Sequence, residues 1–90
     1  MRNVDCQDGD GVDYNGRVQH TVTGLLCQAW DEQVPHTHSY SAVGRHNYCR
    51  NPTGSGEKGV WCFTTDPDIR QDLCDVRRCR KGCDKGDGKY

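Results

Sequence analysis

The sequence predicts a small disulfide-rich domain, mostly loops and turns with a few short antiparallel β-strands. Three observations carry that prediction. Seven cysteines stand in 90 residues, a density that suits a stapled scaffold in an oxidising, extracellular compartment. Only 32% of residues are hydrophobic and the mean hydropathy is −0.99, so apolar burial alone does not offset chain entropy in a chain this short. No segment sustains helical periodicity, whereas glycine, Asn-Pro and Asp-Pro turn signals recur along the chain.

Charge and hydropathy narrow the partners. The net charge is −1 and the pI 6.4, which points away from nucleic acid and anionic membrane as main partners. No apolar run is long enough to span a bilayer. Met1-Arg2-Asn3-Val4-Asp5 lacks the apolar stretch of a secretion signal. The expectation is an excised extracellular domain with an added start methionine, and no membrane contact by the domain itself.

Residues 1–5 read as a polar lead-in. Asp8-Gly9-Asp10-Gly11 reads as consecutive turns. Its acids also suggest calcium, but the late glutamate and flanking helices of an EF-hand are missing. Asn15-Gly16 carries the strongest short hairpin signal, and Arg17 to Thr23 alternates with period two, as a short strand does, until Gly24 ends it. Leu25-Leu26-Cys27-Gln28-Ala29-Trp30 is the most apolar stretch and reads as core, with Trp30 packed on a disulfide. Asp31 to Gly44 is polar and carries His36 and His38.

The stretch His46 to Cys62 organises the rest. Cys49 and Cys62 bracket an Asn51-Pro52 turn and a glycine-rich loop. Proline biases Asn51 away from helical geometry, and Gly54, Gly56 and Gly59 keep the chain turning. Trp61 to Thr65 reads as a strand closed by the Asp66-Pro67-Asp68 turn. After Cys79 almost nothing is left to bury, so residues 80–90 read as a flexible tail or linker.

The chemistry-bearing residues favour no enzyme. His20, His36, His38 and His46 could act as general bases and Cys83 as a nucleophile, but no pattern assembles them into a site. Cys74, Cys79 and Cys83 lack the repeated paired spacing of a zinc centre, so disulfides are the better reading. No cofactor and no metal are expected. Lys85-Gly86-Asp87 is an integrin-recognition tripeptide, but it lies in a stretch already rich in those residues.

Longer motifs say more. The cysteine order, with Tyr14-Asn15-Gly16-Arg17, Cys27-Gln28-Ala29-Trp30, His46-Asn47-Tyr48-Cys49-Arg50-Asn51-Pro52, Trp61-Cys62-Phe63-Thr64-Thr65-Asp66-Pro67 and Asp72-Leu73-Cys74, resembles the kringle domain from Cys6 to Cys79. Pro35-His36-Thr37-His38, and Trp61-Cys62-Phe63 followed by Asp72-Leu73-Cys74-Asp75, look most like the kringle of ROR-type receptor tyrosine kinases.

Spacing alone does not choose a cysteine pairing. The resemblance implies three crossed disulfides, Cys6–Cys79, Cys27–Cys62 and Cys49–Cys74. It leaves Cys83 as a free thiol or the link in a disulfide-joined dimer of an otherwise monomeric domain. It also implies a kringle over residues 6–79 that serves as a non-catalytic, protein-binding module of a larger receptor or secreted protein.

The kringle pattern further implies a shallow ligand groove. Trp61 and Phe63 match its aromatic positions and Arg70 its basic position. Where lysine-binding kringles carry two aspartates, this chain has Thr53 and Ser55, and Gln71 and Leu73 stand where such kringles often have aromatic residues. A cation that is desolvated without a counter-charge is unfavourable, so weak or absent lysine binding is expected. The alternatives are a lysine-type ligand module and a purely structural spacer.

Overall fold

A computed structural model of the chain describes residues 6–79. The expectations placed on the lead-in, the tail, Cys83 and Lys85-Gly86-Asp87 lie outside those residues. Among the described residues regular structure is sparse. Strand β1 is Trp61–Phe63, strand β2 is Gln71–Leu73, and one 3-10 turn covers Ser41–Val43. The strands pair antiparallel in the register Trp61↔Leu73, Cys62↔Asp72 and Phe63↔Gln71. The connection turns at Asp66, whose carboxylate accepts the Asp68 N–H (2.9 Å) and whose carbonyl accepts the Ile69 N–H (3.0 Å).

Three disulfides hold the fold: Cys6–Cys79, Cys27–Cys62 and Cys49–Cys74. They close loops of 73, 35 and 25 residues. The inner two lie against each other, with Cys27 Sγ 3.7 Å from Cys49 Sγ and 3.9 Å from Cys74 Sγ. Around them Trp30, Val60, Trp61, Phe63, Tyr14 and Val76 form a single buried cluster. This is how a polar chain makes a core: sulfur fills the centre and a few large side chains surround it.

Two local expectations are corrected. The reversal expected at Asn15-Gly16 occurs instead at Thr21–Gly24, where Gly24 N–H bonds Thr21 carbonyl (2.9 Å) and Gly24 takes φ +87°. Gly16 carbonyl is instead taken by the Arg50 guanidinium (2.9 Å). Arg17 to Thr23 does not form a strand. Its carbonyls go to different partners: Val18 to Cys49 N–H and Gln19 to Cys27 N–H, 2.8 Å each. Tertiary contacts thus override the period-two pattern.

The apolar run 25–30 divides. Cys27 and Trp30 are buried, Leu26 is exposed, and Gln28 is buried among hydrogen bonds rather than apolar contacts. The turns of the first loop form as the glycines require: Gly11 N–H bonds Asp8 carbonyl, and Gly9 and Gly11 take φ of +61° and +82°.

Candidate functional site

The loop after Cys49 is built around one buried carboxamide. Pro52 holds Asn51 in non-helical backbone, and its side chain then turns inward. Asn51 Nδ2 donates to the carbonyls of Asp10 (2.7 Å) and Glu57 (3.0 Å). Its Oδ1 accepts from Ser55 Oγ (2.5 Å) and from the Trp61 indole N–H (3.2 Å). Every polar site of a buried amide is thereby used, as burial demands. Gly54 and Gly56, at φ of +90° and +82°, let the intervening loop fold around it.

This arrangement shapes a cleft of about 540 Å³ lined by Asp10, Val12, Pro52, Thr53, Ser55 and Glu57. Thr53 is exposed at its edge. Ser55 is committed inward: besides its bond to Asn51, its hydroxyl accepts from Trp61 Nε1 (3.3 Å) and from Glu57 N–H (3.2 Å). Glu57 reaches β2, where its carboxylate accepts from Gln71 Nε2 (3.0 Å). Arg70 is exposed and its guanidinium lies 4.9 Å from the centre of the Phe63 ring.

The two aromatic positions differ from their expected role. Trp61 is 2% exposed and Phe63 is 1% exposed, so neither lines an open groove. The reason is the segment leading into Cys49. His38 stacks on Phe63 (4.5 Å, 16° between planes), Tyr40 meets Trp61 edge-on at 5.6 Å, and Trp30 lies 5.1 Å from Trp61 and 5.7 Å from Phe63. The cover formed by His38 and Tyr40 escaped the sequence reading. Its trace is a repeated His-x-Tyr, at 38–40 and 46–48.

Covering residues are held by side-chain amides. Gln28 Nε2 donates to Glu32 and His36 carbonyls (2.9 Å each), and its Oε1 accepts the His36 N–H (3.0 Å). Gln33 Oε1 accepts the His38 N–H (2.7 Å). Farther along, Arg50 sits 5.6 Å from the ring centres of Tyr14 and Tyr48. Burial draws its pKa down, and the two tyrosines oppose that shift. The sulfurs of Cys27, Cys49, Cys62 and Cys74 converge within 4.8 Å, but as two disulfides they offer no thiolate to a metal.

The family model for the kringle domain matches residues 6–79, all of the described fold. The chain belongs to the kringle family. Plasminogen of Capra hircus is 43% identical over 81 residues, covering 83% of this chain and 64% of that relative. The chain spans just under two thirds of that relative's length. Kringle domains are non-catalytic modules of secreted and extracellular proteins that mediate protein interactions. No helix among the described residues is long and apolar enough to cross a membrane.

Proposed function

We propose that this kringle is an extracellular protein-binding module whose contact face is the rim formed by Thr53, Glu57, Arg70 and Gln71, with weak or absent affinity for free lysine. The observation that carries the reading is the fate of positions 53 and 55. Thr53 brings no charge, and the Ser55 hydroxyl is engaged by Asn51, Glu57 and Trp61. An ammonium entering here loses water and meets no carboxylate at either position. Glu57, the nearest acid in the loop, is drawn toward Gln71. Arg70, the chain neighbour of Gln71, offers an exposed cation. A partner presenting an acidic or neutral-aromatic feature suits that face better than one presenting lysine.

Asp10 and Glu57 on the cleft wall favour a second reading, lysine docking through those two acids. Titration of 6-aminohexanoate at neutral pH, followed through the Trp61 indole signal, separates the two. The expected result is no saturation into the millimolar range. Micromolar saturation would replace the first reading by the second.

A further inference from the structure

The segment between Trp30 and Cys49 contains one local arrangement twice. His38 Nδ1 accepts the backbone N–H of Tyr40 (2.9 Å), and His46 Nδ1 accepts that of Tyr48 (3.1 Å). Each imidazole takes the N–H two residues on, as an Asx turn does with a carboxamide oxygen. A ring nitrogen accepts only without a proton, so both bonds require neutral histidine. In His38 the other nitrogen, Nε2, is the donor to Glu32 carbonyl (2.8 Å), which leaves one tautomer.

The same two rings hold the aromatic cover in place. His38 lies flat on Phe63, and Tyr40 packs edge-on against Trp30 (6.3 Å) and Trp61 (5.6 Å). His46 stacks on Tyr48 at 4.9 Å. The His46 carbonyl accepts the Trp30 N–H (2.8 Å), and the Tyr48 carbonyl accepts the Trp30 indole N–H (2.7 Å).

We propose that His38 and His46 form an acid-sensitive latch: protonation of both rings releases the Tyr40 and Tyr48 N–H groups, loosens residues 31–48 and uncovers Trp61 and Phe63 as an aromatic ligand surface. This deepens the proposed function and rests on that reading, because the uncovered rings adjoin the rim carrying Arg70 and Gln71.

Trp30, Tyr40 and Phe63 pack against the His38 ring, and the Arg70 guanidinium lies over the same Phe63 ring. Around His46 stand Arg50, Asp31 and Tyr48. Burial first, then Arg50, hold its pKa below 6.5, against the opposite pull of Asp31. A histidine depressed in the closed form contributes stability that is full above 6.5 and is lost as pH falls below it. His36 is not part of the latch, since its Nε2 donates to Asp66 carbonyl (2.9 Å) and keeps that bond when charged.

The test uses the 90-residue chain with its disulfides intact. Acrylamide quenching of tryptophan and hydrogen-exchange protection of the Tyr40 and Tyr48 amides are compared at about pH 7.4 and about pH 5, which bracket histidine titration. Quenching is expected to rise, and protection to fall by about tenfold, the equivalent of one lost hydrogen bond. His38→Asn with His46→Asn keeps an acceptor for each N–H but does not titrate, so it should stay closed at both pH values. Unchanged quenching and protection in the native chain would overturn the proposal, as would an equal acid response in the variant.

Should the variant not fold, ring 15N shifts of the native chain decide: His38 must be the Nε2–H tautomer at neutral pH, and the Nδ1–H form would overturn the latch. No ligand enters these measurements, so their failure is distinguishable from micromolar 6-aminohexanoate binding at neutral pH, which would instead sink the proposed function.

Discussion

Residues 60–76 and residues 31–48 pack against each other but are held by different forces. The first region contains both strands, Val60, Trp61, Phe63 and Val76 of the core, and two cysteines of the inner disulfides. Of the second, only His36 is buried. It is tied down by Gln28, Gln33, His38 and His46, each bonding backbone groups. A chain with 32% hydrophobic residues has too few apolar side chains to support both regions in the same way. It concentrates covalent and apolar stabilisation in one and leaves the other to polar contacts, which contribute less and respond to solvent conditions.

Substitutions should separate the two. The largest effect is expected from Cys49→Ala with Cys74→Ala. Loop-closure entropy for this bridge gives a loss of roughly 3–4 kcal/mol, and the pair sits in the buried core. Urea unfolding should show that loss across the whole domain. A loss confined to amide exchange in residues 31–48 would break the comparison.

A smaller, local effect is expected from Gln28→Ala. It strands the His36 N–H and removes donors from two carbonyls, at about 1–3 kcal/mol for buried groups left unsatisfied. Exchange at His36 should accelerate while the β1–β2 amides keep most of their protection. Equal acceleration in both would show that the two regions unfold as one.

The smallest effect is expected from Thr53→Asp, which adds a charge at the exposed edge of the cleft. With Trp61 and Phe63 covered, affinity for 6-aminohexanoate should rise by about tenfold or less, the value of one charge-assisted bond. A gain above about a hundredfold would mean that missing charge, not the cover, limits the face.

The covalently held region was the more legible one. The run Trp61 to Thr65 reads as a strand and its first three residues, Trp61–Phe63, form one, the glycines at 9, 11, 54 and 56 take the positive φ that turns require, and the kringle resemblance implied the three disulfides that join the six cysteines. The region held by side-chain amides and imidazoles was not legible. Gln28 and His38 act on backbone carbonyls and N–H groups, which every residue carries and which leave no pattern to read. Burial of Trp61 and Phe63 depends on that region, so an aromatic beside a cysteine read as groove lining although it is core. The Asn15-Gly16 turn failed for a related reason: Arg50, 34 residues away, takes the Gly16 carbonyl.

The Cα atoms of Cys6 and Cys79 lie 4.9 Å apart. Gln7 reinforces the junction, with its backbone bonded to Arg77 and Cys79 and its side chain to Val60 and Val76. Mechanically, a pull applied at residues 6 and 79 meets a covalent bond almost at once. Tension then runs through Cys6–Cys79 and bypasses the strands, the cleft and the aromatic cover. Suspended in this way, the kringle would add about one residue spacing to the length of a taut chain, and its binding face would keep its shape under load.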